Sequence, residues 1–161
     1  MIAESKDYTP LNSPESILTV FVEAWNNRDP DKLASIFDED AEFVNVTGLW
    51  WHNRESIRKA HAYGLERIFD RSTLRLVTMR VKWLSEEIAV VHVRMSLEGQ
   101  TPIGEIATPK PRINLFSFVV HRGPDGWNCA SAQNTDVVPG METNIVGDDG
   151  QFRSVNYRDR G

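Results

Sequence analysis

The sequence predicts an α+β fold: three N-terminal helices packed on a strongly curved antiparallel sheet, forming a cone that encloses a pocket. Three observations carry that expectation. Apolar residues recur at helical spacing through residues 14–69. From Leu74 onward the period switches to alternation, broken by hairpin turns. Between the helices lies a short apolar strand, interrupted by one amide, Asn45, and followed by the adjacent indoles Trp50 and Trp51.

The first helix opens at Ser13-Pro14-Glu15, a hydroxyl cap, a proline at the first helical position and an acid near the positive helix end. Ile17, Leu18, Phe21, Val22 and Trp25 give it an apolar face, and Asn26-Asn27-Arg28 ends it. Asp29-Pro30 opens a shorter helix with Leu33, Ile36 and Phe37 inward. Phe43, Val44 and Val46 then read as a strand, Gly48 as a turn, and Asn53 as the cap of a third helix over residues 54–69. Ile57, Ala60, His61, Gly64, Leu65 and Ile68 share one stripe of that helix, and His61 is its one ionisable member.

Leu74, Leu76, Thr78 and Arg80 alternate with Arg75, Val77, Met79 and Val81 in a long strand closed by Trp83. Ser85-Glu86-Glu87 turns the chain into a strand with Val91, Val93, Met95 and Leu97 on one face and Val90, His92, Arg94 and Ser96 on the other. Residues 99–111 are proline- and glycine-containing and read as a long loop. Residues 113–121 form a fourth strand, Arg122 to Gly126 a turn, and residues 127–136 the last strand. Residues 1–12 are expected as a flexible leader, 13–138 as the cone domain and 139–161 as a polar tail.

Composition narrows the classes of function. At 161 residues the chain has the size of one domain with a sizeable core. Its 23 acids against 18 bases give a net charge of −5, which argues against a nucleic-acid surface. No apolar run approaches the ~18 residues of a membrane span, and residues 1–12 lack a signal-peptide core. A cytoplasmic setting is the default expectation. The single cysteine, Cys129, forms no internal disulfide and reads as an inert buried thiol. His52, His61, His92 and His121 lie on separate elements, so no metal shell assembles by spacing. No nucleophile elbow, P-loop or dinucleotide fingerprint is present, and no cofactor is expected.

Several side chains are candidates for a pocket. Asn45 can orient a ligand carbonyl or hydroxyl, or else satisfy nearby backbone. His61 is either a proton carrier near pH 7 or a hydrogen-bonded core histidine. Asp136, at the end of the last strand, is either an acid or base in the cone mouth or a solvated strand end. Trp50 and Trp51 wall a flat ligand, or one packs in the core and the other closes a subunit contact.

The order of helix, Asp-Pro helix, Phe37-Asp38-Glu39-Asp40-Ala41, strand, Gly48, helix with Ile57, and strands ending in Gly126-Trp127 resembles the nuclear transport factor 2-like, or SnoaL-like, superfamily. Phe43-Val44-Asn45-Val46, Trp50-Trp51, Ala60-His61 and Ala132 to Asp136 more narrowly resemble its SgcJ/EcaC-type branch, whose members occur beside polyketide and enediyne pathways. The resemblance implies a homodimer through the sheet. It also implies an inward face that carries Gln133 in preference to Asn134, both being candidates for ligand binding. Asn45 stands where ketosteroid isomerase has its aspartate base and Phe21 where it has a tyrosine, so that isomerisation is not expected. The implied function is cofactor-independent proton transfer on an apolar small molecule: cyclisation, isomerisation or dehydration. A sheltering protein without chemistry and an oligomerisation scaffold are the alternatives.

Overall fold

The computed structural model describes residues 11–158. The first ten residues of the expected leader therefore lie outside the described residues, while Leu11 and Asn12 lie inside them. Leu11 accepts a hydrogen bond from the Trp127 amide at 2.9 Å, and its backbone sits where a Cβ on Gly126, at φ +111°, would collide.

Helix α1 spans Pro14–Asn26, and Ser13 and Ser16 cap it reciprocally. It buries Ile17, Leu18, Phe21, Ala24 and Trp25 against the sheet, each side chain contributing about 1.5–3 kcal/mol of burial for the large ones. The corner beyond it is pinned by Arg28, whose backbone is left-handed at φ 56°. Its guanidinium donates to the carbonyls of Trp25, Asp70 and Ser72, so the tight turn and the start of the sheet share one cation. Helix α2 is Pro30–Ser35, capped by the Asp29 side chain on the Lys32 amide at 2.9 Å.

Strand β1 (Phe37–Val44) and the two-residue β2 (Trp50–Trp51) follow, then helix α3 (Arg54–Arg67), capped by Asn53 on the Ser56 amide at 2.8 Å. A meander completes the sheet: β3 (Thr73–Trp83), β4 (Ile88–Glu98), β5 (Arg112–Gly123) and β6 (Gly126–Asp136). The strand order is β2-β1-β6-β5-β4-β3. Among the described residues every pairing in this sheet is antiparallel except one: β1 runs parallel to β6. Three helices on one large, mostly antiparallel sheet are what the hydrophobic periods predict, and a cone is consistent with this arrangement. The parallel pair is not foreshadowed, because it joins strands far apart in sequence.

Irregular pairings bend the sheet. In β3, Val77 is the extra residue between the pairs Leu76↔Met95 and Thr78↔Arg94. Leu74, Leu76, Met79 and Val81 consequently oppose the buried residues of β4, and simple alternation fails midway. In β6, Ala130 is extra between Val120↔Cys129 and Val119↔Ser131. The same point is irregular on the other side of β6, where Phe37↔Cys129 and Glu42↔Ser131 leave a loop of β1 unmatched.

The expected polar tail contains a hairpin of its own, β7 (Thr143–Val146) with β8 (Phe152–Val155). Gly150, at φ +72°, turns the loop, and Arg153 pairs with Asp149. Val146 and Phe152 on it are exposed.

Candidate active site

Between α1, α3, β1 and the inner face of the sheet lies a cavity of about 600 Å³. Most of its wall is aromatic or aliphatic. Leu49, Lys59 and Tyr63 line it and also face solvent, which puts the mouth between the β1–β2 turn and α3.

His61 borders this cavity from α3. Phe21, Trp25, Phe43 and Trp51 surround its ring, with centroids 5.2–6.4 Å away. The residue is half-buried because one edge borders the hollow, yet the atoms crowding the ring are those of a core position. Nδ1 lies 2.8 Å from the Ile57 carbonyl, one helical turn back. A carbonyl oxygen only accepts, so Nδ1 carries the proton, and Nε2 keeps its lone pair. No protein group among the described residues donates to Nε2. Burial pushes the imidazole pKa below the usual 6.5, and the Ile57 hydrogen bond opposes this less strongly. The outcome at neutral pH is an uncharged ring offering a free acceptor in an apolar chamber. This geometry is that of a hydrogen-bonded core histidine with one nitrogen open to the cavity.

Asn45 also borders the cavity, at the end of β1. Its Oδ1, however, accepts from the Thr47 amide at 3.0 Å, the Thr47 hydroxyl at 3.1 Å and the Leu49 amide at 2.8 Å. The oxygen thus folds the β1–β2 turn, as Asn side chains commonly do. Only its N–H donors remain for a ligand.

Asp136 differs most from its expected role. Its Oδ1 accepts from Arg112 Nη1 at 2.6 Å and from Asn114 Nδ2 at 2.5 Å. It does not line the cavity, whereas Arg112 and Asn114 do. A carboxylate holding two donors in place is a positioning residue, not a free acid or base.

Gln133 faces outward and is exposed; Asn134 lines the cavity. The preference for Gln133 assumed unbroken alternation from Cys129, and the extra residue Ala130 reverses the faces beyond it. Asn134 Oδ1 is buried and has no hydrogen-bond partner among the described residues. Trp51 lines the cavity against Phe43, with ring centroids 5.9 Å apart. Trp50 points the other way, as neighbours in a strand must, and is 60% exposed. Its Nε1 donates to Glu42 Oε2 at 2.5 Å, and His52 packs on its ring with Nδ1 2.9 Å from the same oxygen. Trp50 is therefore no part of the cavity wall. Sequence reasoning missed Arg112 and Asn114. The signal was present in β5, where Arg112, Asn114, Phe116, Phe118 and Val120 occupy every second position.

Matching the sequence against family models finds the SnoaL-like domain over residues 18–126, more than half of the chain. The chain belongs to the SnoaL-like family. Among solved structures, this SnoaL-like chain is similar to an uncharacterized protein with a cystatin-like fold from Caulobacter vibrioides, at TM-score 0.71 and 24% identity, covering 78% of this chain and 87% of that one. A proposed scytalone dehydratase from Novosphingobium aromaticivorans aligns at TM-score 0.65 and 15% identity over 91% of each chain. A ketosteroid isomerase-like protein from Erwinia carotovora atroseptica aligns at 0.62 and 15%, covering 78% of this chain and 94% of that one. No curated protein matches the sequence. At such identities the solved structures establish the fold, and the site must be argued from its own residues.

Burial pushes the Cys129 thiol far up, so it stays protonated and unreactive in the folded protein. Among the described residues, no group of three or more His, Cys, Asp and Glu side chains could hold a metal, and no helix is long and apolar enough to cross a membrane.

Proposed function

We propose that this SnoaL-like protein binds a flat, apolar small molecule and moves a proton on it without a resident cofactor, with His61 as the proton carrier. One observation carries the reading: a neutral imidazole, its tautomer set by Ile57, presents an unpartnered Nε2 to a 600 Å³ aromatic chamber. A general base must be unprotonated at the working pH and within reach of the proton it takes. Nε2 would take a proton from carbon beside a ligand carbonyl, giving an enolate and an imidazolium; returning it to another atom completes an isomerisation. Delivering it to a leaving hydroxyl would complete a dehydration. Trp51, Trp25 and Phe21 exclude water, and Asn45 Nδ2 orients the ligand.

The isomerase-like and dehydratase-like names among the structural neighbours support this reaction class. Resemblance to the SgcJ/EcaC-type branch supports a polyketide or enediyne-like pathway intermediate as the natural ligand, a cytoplasmic setting and a homodimer through the outer face of the sheet. A second reading, a shelter for a reactive intermediate, is favoured by the engagement of both Asn45 Oδ1 and Asp136. In that reading His61 is a wall residue alongside Lys59 and Tyr63.

The test needs no natural substrate. The ring CH2 beside the carbonyl of 2-tetralone exchanges with deuterium in D2O, and NMR follows it. The protein should accelerate that exchange on the order of 10²-fold or more over buffer, within the range of general-base catalysis. His61→Ala should return it to the buffer rate. Binding of 2-tetralone with no acceleration would instead support the shelter.

A further inference from the structure

One end of the chamber wall, at the start of β5 and the end of β6, is polar, and it constrains the ligand more closely than the aromatic wall does. Arg112 and Asn114 reach it from β5, and Asn134 reaches it from β6; the pairings Asn114↔Asp136 and Phe116↔Asn134 make them neighbours. Asp136 uses one oxygen to fix both Arg112 Nη1 and Asn114 Nδ2. The guanidinium has further N–H donors, and none has a partner among the described residues. Asn134 supplies the opposite polarity, a buried carbonyl oxygen without a donor among the described residues. An unpaired buried acceptor costs about 1–3 kcal/mol until something donates to it.

Resting on the proposed small-molecule pocket, we infer that this end selects an uncharged ligand carrying both a ketone oxygen and a hydroxyl on one ring: the ketone accepts from Arg112, and the hydroxyl donates to Asn134. Charge decides between a ketone and a carboxylate. Asp136 already neutralises Arg112 at 2.6 Å, so no uncompensated cation waits for an anion. A carboxylate would add a net negative charge beside Asp136 in an apolar enclosure, which is costly. A ketone needs only the spare N–H groups. The same group polarises the carbon–hydrogen bonds next to it, which is what proton removal by a neutral base requires.

Trp25 and Trp51 line the chamber, so quenching of tryptophan emission reports binding. Four probes separate the possibilities: tetralin, 1-tetralone, 4-hydroxy-1-tetralone and 2-naphthoate. The hydroxy-ketone should bind at least about tenfold more tightly than tetralin, the ketone should fall between them, and 2-naphthoate should bind more weakly than the ketone. Asn134→Leu should remove the advantage of the hydroxyl. Arg112→Met combined with Asp136→Asn, which leaves no buried charge unpaired, should remove the advantage of the ketone while tetralin still binds. Continued tetralin binding also shows that each variant is folded. Equal affinity for the three neutral probes, or tightest binding of 2-naphthoate, overturns this inference and leaves the pocket proposal standing. Failure of all four to bind overturns both.

Discussion

His61 and Asp136 look alike in the sequence, as ionisable side chains aimed at one hollow from opposite elements, yet their surroundings make them opposites. His61 has one proton tied to a backbone carbonyl and one nitrogen free, inside a ring of aromatic side chains. Asp136 is engaged by an arginine and an asparagine and stands behind them. Whether a titrating group can do chemistry depends on which of its atoms the protein has already used. Asn45 teaches the same lesson at smaller scale, since its oxygen builds a turn and only its donors face the cavity.

The contrast is broken most severely at the backbone. Deleting Ala130 removes the irregularity of β6 while Ala132, Asn134 and Asp136 keep their inward face, because the extra residue is the one without a partner on β5. The bend that this residue gives the sheet is lost with it. The expected result is a lowered melting temperature, read by circular dichroism, with weakened 2-tetralone binding; an unchanged melting temperature with unchanged binding would refute the role given to Ala130.

Next in size are the two ionisable groups. His61→Ala should lower 2-tetralone exchange on the order of 10²-fold or more, about 3 kcal/mol in barrier height. Asp136→Asn should leave that rate within a few-fold and weaken binding of ketone ligands, because it acts through Arg112. Equal losses of rate in both variants would erase the distinction between them.

The two adjacent tryptophans give a smaller, cleaner comparison. Trp51→Ala should weaken binding of a fused-ring ligand about tenfold or more, whereas Trp50→Ala should leave it unchanged, in isothermal calorimetry. Gln133→Ala should likewise change stability by less than about 0.5 kcal/mol, as surface substitutions do. An effect of Trp50 on binding equal to that of Trp51 would mean that the β2 strand presents both rings to the ligand.

The smallest effect is on stability against pH. The folded-state pKa of His61 lies below its unfolded value of 6.5, so the unfolded chain takes up the proton first as pH falls. Its contribution is therefore fully present above pH 6.5 and is lost as pH drops below that value. The melting temperature should fall between pH 7 and 5, and His61→Phe should flatten that part of the profile. A wild-type profile that rises toward pH 5, with His61→Phe unchanged in slope, would show the ring to be stabilised by charging.

How much of this was legible in the sequence follows from where the information resides. Helices α1 and α3 and the meander β3 to β6 were written in local periods, and the caps Ser13 and Asn53 stand where residue type and spacing put them. The parallel pairing of β1 with β6 was not legible, because nothing local records which distant strand lies alongside. Alternation placed His92 and Arg94 outside and Val91, Val93 and Met95 in the core of β4. It failed at Val77 and Ala130, where one extra residue reverses every later side chain. That failure is why Gln133 was preferred over Asn134. The roles of Asp136 and Asn45 depended on partners met only in three dimensions, Arg112 and the Leu49 amide among them. The β7–β8 hairpin was partly written: Ile145 and Val146 lie before, and Phe152 after, a Gly-Asp-Asp-Gly turn, a pattern outweighed by the polar composition around it.

The measurement that reaches the centre of the account is nitrogen-resolved NMR of the His61 imidazole across pH. The account predicts a ring protonated on Nδ1 alone at pH 7, an Nε2 resonance that moves when 2-tetralone is added, and a titration midpoint below 6.5. A proton found on Nε2 at pH 7, or a midpoint at or above 6.5, would contradict it.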